Sequence, residues 1–505
     1  MTQTFLPKDY GSVTQLLSAL KTKTEIYWIK RGEQRALLLF HQMAQRVPAY
    51  KDFLRKHKIN PDKIKSIQDF SSLPTVDKNN YLRAYPREML CWDGQFKEKS
   101  WVISTTSGST GEPYYFPRTD EQDWQYALTA ELYLRTNFEI HKKSTLYING
   151  FAMGAWIGGL FTYQAIKYVA QSGNYKLSII NPGIFKKEII KALKNVGHDF
   201  DQVIIGGYPP LIKNVIDEGI REGLEWKSFS LGFIFSAEGF SENFRDYIIK
   251  KTGLKNVYTS ILNHYGTVDL GTMAHETPLS ILARRLALKK TKIYHKLFPE
   301  NKLPTLCQFI PEMFYFEENN SQLFCSAFSG IPLVRYDLKD QGGIYSLHSV
   351  LNIFKNEGID LYVEAKNVDI DDSITNLPFV YVYERSDFIV KLYGANIYPE
   401  TIRKALEDQD LQNYITGKFT LVIKNDVKQN QYLEINIELQ PGITKEPNLE
   451  KKLGQLVVSQ LLKDNSEYRS NYSEVPRRQI PKIVLWDYES PQYFSSSGKQ
   501  KWIKK

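Results

Sequence analysis

The sequence predicts an α/β protein, with a large N-terminal α/β domain followed by a smaller C-terminal α+β domain. Three observations predict it. The chain has 505 residues, more than one hydrophobic core ordinarily serves. Through its middle, short apolar runs alternate with amphipathic segments, the pattern of strands buried between helices. After about Glu384 the character changes to two strand-like runs flanked by helical segments. We place the boundary between residues 386 and 387, giving domains 1–386 and 387–505.

Taken in order, residues 1–95 read as a mainly helical lead-in. From roughly Thr24 to Pro86 apolar residues recur three and four apart, with Pro48 and Pro61 as breaks. The run Trp101–Ile103 is β-like and leads into the polar loop Thr106–Pro113. Thr119 and Gln122, at capping-box spacing, announce a helix whose buried stripe is expected at Trp124, Leu128 and Leu132. Leu146–Ile148, Val203–Ile205 and Phe233–Phe235 read as strands, and Glu242–Lys251 as a helix. In the C-terminal part, Pro399–Leu406 reads as a helix and Phe419–Ile423 and Tyr432–Leu439 as strands. Within the second strand Leu433, Ile435, Ile437 and Leu439 alternate with Glu434, Asn436 and Glu438, as one buried face requires. A helix around Leu449–Leu462 and an apolar run at Ile483–Trp486 precede a polar, basic tail.

Composition narrows the class. Hydrophobic residues make up 42% and charged residues 24%, as in an ordinary soluble protein, and no apolar run is long enough to span a bilayer. The start MTQTFLPKDYGSV lacks the pattern of a signal peptide, so the cytoplasm is the expected location. Cys91, Cys307 and Cys325 lie too far apart for a local metal knuckle and are expected to be buried. The net charge of +9 is spread along the chain, with no nucleic-acid-binding motif to organise it. Acidic small molecules suit such a surface.

The loop TSGSTGEP at Thr106–Pro113 is the first chemical signal. Six of its eight residues are Gly, Ser or Thr, which lets backbone N–H groups and hydroxyls converge on an anion such as a polyphosphate. A flexible connector has the same composition. The loop lacks the Gly-Lys-Ser/Thr ending of a Walker A motif, which disfavours an ordinary P-loop NTPase. Five further segments follow it: FSAEG at Phe235–Gly239, HYGTVD at His264–Asp269, VRYDLKD at Val334–Asp340, ERSDFIVKLYGANIYPETI at Glu384–Ile402 and SGKQK at Ser497–Lys501. In this order they resemble the signature motifs of the adenylate-forming superfamily, specifically its phenylacetate–CoA ligase-like branch. Upstream, VPAYKDFLRKHKINPDKIKSIQDFSSLPTVDKNNYLRAYP at Val47–Pro86 resembles that branch's N-terminal region.

The resemblance implies a large domain of the adenylate-forming ligase type with a small mobile C-terminal domain, ATP and Mg²⁺ as cofactors, and CoA as the expected co-substrate. Thr106, Ser107, Gly108, Ser109, Thr110 and Gly111 would wrap the β- and γ-phosphates. Ala237, Glu238 and Gly239 would line the adenine pocket, completed by Tyr265 and Gly266. Asp340 would accept hydrogen bonds from the ribose hydroxyls, a task suited to a carboxylate. Arg385 would hold the nucleotide from the domain boundary or serve a structural ion pair, and Asp387 matches the hinge. Lys499 would be the catalytic cation, placed where the acid's carboxylate meets the α-phosphate and charge crowds in the transition state.

This sequence also departs from that pattern. In the metal-binding segment, Val268 stands where a hydroxyl residue is expected and Asp269 where a Glu is expected. Asp269 retains oxygens for Mg²⁺ on a shorter arm, and Thr267 is the candidate to replace the missing hydroxyl. Glu384 replaces the Gly before the hinge Arg. Pro278–Lys302 reads as a basic insertion, with Arg284, Arg285, Lys289, Lys290, Lys292 and Lys296 on an exposed face; no Asp or Glu lies between Glu276 and Glu300. It is either a solvated helix or a dock for an acidic acyl-carrier protein or the phosphates of CoA. Phe151, Met153, Trp156 and Phe235 line an acid slot or belong to the core. The function implied is activation of a carboxylic acid, aryl or arylalkyl by the resemblance, to an acyl-adenylate, then transfer to a thiol. Loading onto a carrier-protein phosphopantetheine or an amine is the alternative, and a catalytically silent binding protein is a third reading.

Overall fold

The computed structural model describes residues 12–105, 114–300, 303–385, 390–406, 411 and 413–494, with the backbone alone of residues 384, 385 and 400. Its strands are β1 (Val102–Thr105), β2 (Tyr115–Arg118), β3 (Thr145–Gly150), β4 (Leu177–Ile180), β5 (Gln202–Gly207), β6 (Leu231–Phe235), β7 (Ile261–Thr267), β8 (Gly271–His275) and β9 (Thr305–Gln308). They continue as β10 (Phe314–Asn319), β11 (Gln322–Ala327), β12 (Leu333–Tyr345), β13 (Phe379–Arg385), β14 (Val390–Leu392), β15 (Ala395–Ile397), β16 (Ile415–Asn425), β17 (Gln431–Leu439) and β18 (Lys482–Trp486).

Among the described residues the large sheet has eleven strands in the order β10-β11-β12-β13-β9-β8-β7-β6-β5-β3-β4. From β4 to β7 it is parallel, which the continuous apolar runs VIIGG of β5 and LGFIF of β6 explain: such strands must be covered on both faces. Alternate residues divide between the two layers. Tyr147, Ile204, Ile234 and Leu262 pack with the helices Asp120–Phe138 and Ile157–Ser172. Leu146, Ile148, Val203, Ile205, Phe233 and Ile261 pack with Lys186–Val196, Pro209–Arg221 and Glu242–Thr252. The antiparallel half, from β8 to β13, packs with the helical lead-in. Val76 adds itself to β12 as a short parallel bridge: Val76 N–H donates to Arg335 O at 3.2 Å and Asp337 N–H to Val76 O at 2.9 Å.

The lead-in follows its sequence signals. Thr24 caps the helix Glu25–Arg46 through Tyr27 N–H, and Pro48 opens the helix Pro48–Lys56, where its missing donor costs nothing. Cys91, Cys307 and Cys325 are free and buried, as expected.

Two expectations for the helix Asp120–Phe138 require correction. Thr119 stands at its N-cap but makes no capping bond, and Gln122 is buried and accepts from Gly330 N–H at 3.4 Å instead. Asp120, Glu121 and Asp123 supply the negative charge favoured in a first turn. Leu128 and Leu132 are buried, but Trp124 is 37% exposed. The inward space at that level is taken by Asp123, paired with the buried Arg118 of β2 at 3.0 Å.

The small domain carries the sheet β16-β17-β18, its apolar face packed on the helices Pro399–Leu406 and Pro447–Asp464. The alternation in β17 correctly marks that face, yet the opposite face is buried too. Trp486 Nε1–H donates to Asn436 Oδ1 at 2.7 Å, Thr416 Oγ1–H to Glu438 Oε2 at 2.7 Å, and Lys424 and Lys482 flank Glu434. Polar residues there are satisfied within the protein.

The basic insertion also differs from expectation. Its helices, Pro278–Lys289 and Thr291–Leu297, leave Lys289, Lys290, Lys292 and Lys296 exposed, whereas Arg284 is buried and Arg285 partly so. Their acids come from outside the window that looked uniformly basic. Arg284 pairs with Glu242 at 2.9 Å and Glu276 at 3.2 Å, Arg285 with Glu242 at 2.8 Å and Asp246 at 2.9 Å, and the fully buried Arg245 with Glu276 at 2.8 Å. Burial pushes the Glu242 carboxyl up, but the fields of Arg245, Arg284 and Arg285 outweigh it and hold it down at about 2. Glu242→Gln leaves these guanidinium groups under-compensated and is expected to destabilise the large domain by about 3–5 kcal/mol, read as a lower urea midpoint. Because the native pKa is depressed, the carboxylate's contribution is complete above its unfolded range and is lost as pH falls toward about 2, so wild type and variant should converge in acid.

Candidate functional site

The carboxyl ends of β3, β5, β6 and β7 lie along one edge of the parallel half-sheet. Ligands of open parallel sheets bind at that edge, because the chain leaves the sheet there in loops free of core packing. It carries Gly150, Gly206 and Gly207, the segment Ala237–Gly239 after β6, and Tyr265, Gly266 and Thr267 at the end of β7. Ala237 is held at a φ of 74°, a left-handed conformation uncommon for a residue with a Cβ. A Cβ on Gly266 would lie 2.5 Å from Gly271 O, so only glycine lets β7 and β8 approach there.

Strand β12 brings the other half of the site. Tyr265 Oη–H donates to Asp340 Oδ2 at 2.7 Å, joining two residues 75 positions apart, and the Tyr265 ring stacks near Phe316. Asp340 stands opposite Arg385 in the β12–β13 register. The structure thus brings together Tyr265, Gly266, Asp340 and the backbone of Arg385. Asp269 lies in the turn after β7, buried, and accepts from Tyr336 Oη–H at 2.6 Å through Oδ2. Its Oδ1 has no hydrogen-bond partner among the described residues, and the Lys78 ammonium stands 3.4 Å from it.

Lys78 was not singled out in the sequence. No local signal marks it: it lies in LPTVDKNNYLRAYP, two residues after the Val76 bridge to β12, at the start of a helical turn that Asp77 caps through Asn79 and Asn80 N–H at 2.8 Å. That turn carries a lysine from the lead-in to the end of β7.

Magnesium is commonly held by one or two carboxylates together with substrate phosphates. Among the described residues no group of three or more His, Cys, Asp or Glu side chains gathers to hold a metal. The unbonded Asp269 oxygen fits an ion that arrives with a nucleotide. Thr267 Oγ1 accepts from Leu270 N–H at 3.2 Å, which fixes the hydroxyl at the start of the turn while leaving its proton to donate. Val268 packs against the apolar core of the lead-in.

Glu238, expected at the adenine pocket, reaches the small domain with its side chain. Its buried carboxylate accepts from Gly394 N–H and, through Oε2, from Gln431 Nε2–H at 2.8 Å, both in the small domain. Of the residues considered for an acid slot, Phe235 belongs to the core with Phe233, Phe240 and Phe244. Phe151 is buried edge-on against Tyr208, ring centroids 5.5 Å apart, and Met153 and Trp156 are half-buried beside it. Thr106 to Gly111, Asp387 and Lys499 lie outside the described residues, as do the side chains of Glu384 and Arg385.

No family model and no curated protein matches this chain. Among solved structures it is similar to 2-hydroxyisobutyryl-CoA ligase in complex with 2-HIB-AMP and CoA in the thioesterification state, with a TM-score of 0.61 and 14% identity over 96% of this chain and 91% of that one. It is also similar to that ligase in the postadenylation state with R3-HIB-AMP, with a TM-score of 0.54 at 14% identity over 96% and 91%. For the ligase's open conformation with 2-HIB-AMP and CoA the TM-score is 0.53, at 14% identity over 97% and 94%. The chain therefore has the fold of an acid–CoA ligase, a large α/β domain with a separate C-terminal domain. No helix among the described residues is long and apolar enough to cross a membrane.

Tyr265→Phe removes a hydrogen bond to a buried carboxylate and is expected to cost about 1.5–3 kcal/mol of large-domain stability, measurable by urea unfolding.

Proposed function

We propose that this chain joins a carboxylic acid to ATP, releasing pyrophosphate and forming an acyl-adenylate, and then passes the acyl group to a thiol, with CoA as the acceptor and AMP as the leaving group. The observation that carries this reading is the convergence of Tyr265, Asp340 and Asp269 at the carboxyl ends of the parallel strands, on a fold shared with an acid–CoA ligase. The resemblance of its motifs to the phenylacetate–CoA ligase-like branch favours an aryl or arylalkyl acid.

In this reading the backbone of Ala237–Gly239 and of Gly266 borders the adenine, and Asp340, oriented by Tyr265, accepts from the ribose hydroxyls. Thr106 to Gly111 wrap the terminal phosphates. An acid carboxylate and the α-phosphate are both anions, so the step needs positive charge where they meet. Lys499 supplies it from the tail, and Lys78, beside Asp269, adds a second cation at the edge of the site. Mg²⁺, held by Asp269 and the phosphates, would neutralise the leaving pyrophosphate. Thr267 donates its hydroxyl in the place of the residue that Val268 lacks. The division at 386/387 lets the small domain move about Asp387 between the two half-reactions, with Arg385 on the nucleotide side of that hinge.

Pyrophosphate exchange screened over aryl, fatty and amino acids tests the reading. Exchange is expected with an aryl or arylalkyl acid and should fall by about 10²–10³-fold in Lys499→Ala. Lys78→Met should lower it by about tenfold or more without loss of fold. Absence of exchange with every acid, or full exchange in Lys499→Ala, overturns it.

A further inference from the structure

The small domain meets the large one through the hairpin β14–β15 and the start of β17. Lys391 Nζ–H donates to Ala237 O at 2.6 Å, and Gly394 N–H and Gln431 Nε2–H donate to the Glu238 carboxylate, the latter at 2.8 Å. Gln431 Oε1 accepts from Tyr393 N–H at 3.2 Å, so one side chain ties the hairpin to β17 and to Glu238. Asn214 Nδ2–H donates to Tyr393 Oη at 2.8 Å, and the buried Lys213 donates to Asn430 Oδ1 at 2.6 Å. Gly394 has a φ of 82°, and a Cβ there would lie 2.9 Å from the Tyr208 ring. Phe151, Ala152, Tyr208 and Leu211 share one apolar cluster with Leu392 and Tyr393.

This is a built interface, and its polar centre falls on the segment that would border the nucleotide. We propose that Glu238, Gln431 and Lys391 form a latch that holds the small domain over the Ala237–Gly239 segment, making Gln431 and Lys391 positioning residues of the acyl-transfer half-reaction. The proposal rests on the reading given under Proposed function. Two further observations support it. The chain superposes better on the thioesterification state of its structural neighbour than on the postadenylation or open state, with TM-scores of 0.61 against 0.54 and 0.53. Two of the donors to Glu238, the Gly394 N–H and the Gln431 side-chain amide, are neutral groups that exchange for water at modest cost, as a contact broken and remade in each turnover requires.

A second carboxylate couples this latch to protons. Glu467, in the helix Ser466–Glu474, is buried in the same interface, 3.5 Å from Tyr208 Oη. Burial pushes its carboxyl up to about 8; Lys391 and the Tyr208 hydroxyl oppose the shift and Glu238 adds to it. Docking therefore takes up a proton. The docked arrangement is favoured most where the free carboxyl is already protonated, and weakens as pH rises to about 8.

Small-angle X-ray scattering on the full chain reads domain position without reference to activity. Gln431→Glu sets a second carboxylate against Glu238 and is expected to raise the radius of gyration, to leave pyrophosphate exchange within about twofold, and to slow acyl transfer by about tenfold or more. Glu467→Gln, which keeps a neutral group of the same shape, is expected to flatten the pH dependence of the wild-type radius between about pH 5 and about pH 8. An unchanged radius in Gln431→Glu, or a parallel fall of both half-reactions, overturns the latch; so does a pH dependence that survives in Glu467→Gln. Failure of exchange in the wild type with every acid instead removes the functional reading, and the scattering arm still decides whether the latch exists.

Discussion

The constraint on which the rest of the structure depends is the double burial of the parallel strands β3, β5, β6 and β7. Covered by helices on both faces, they are reachable only at their ends, and open parallel sheets bind ligands at the carboxyl ends. Everything of chemical interest collects there. Tyr265 reaches Asp340, Tyr336 reaches Asp269, and these two bonds fold the antiparallel half of the sheet back onto the end of β7. The hairpin β14–β15 then closes over the end of β6.

The helical lead-in belongs to this arrangement. By adding Val76 to β12 it fixes Lys78 beside Asp269, so a segment that reads as scaffold delivers a cation to the site. The departures at Val268 and Asp269 take on physical sense in that setting. Val268 packs into the core that the lead-in shares, and the shorter acid is oriented by Tyr336 and faced by Lys78.

Much of the fold was legible, because the strands of the parallel half are short uninterrupted apolar runs and the small domain's strands alternate. The helix Pro399–Leu406 and the strands around Val203–Ile205 and Phe233–Phe235 stand where periodicity placed them. What was not legible depends on partners remote in sequence. Arg284 and Arg285 looked solvated because Glu242 and Asp246, which bind them, lie outside the local window. Glu434, Asn436 and Glu438 looked exposed because Trp486 and Thr416 arrive from neighbouring strands. In the site, the motif order marked Tyr265, Asp340 and Asp269, but neither the cross-domain engagement of Glu238 nor the approach of Lys78 has a local signature. Both are set by tertiary packing.

The central claim is that a nucleotide binds where β6, β7 and β12 converge. Hydrogen–deuterium exchange of the full chain with and without Mg·ATP tests it without knowledge of the acid. The account predicts nucleotide-dependent protection in peptides covering 235–239, 264–269 and 337–341, largely lost in Asp340→Ala. Protection confined to other segments, or undiminished in Asp340→Ala, would contradict it.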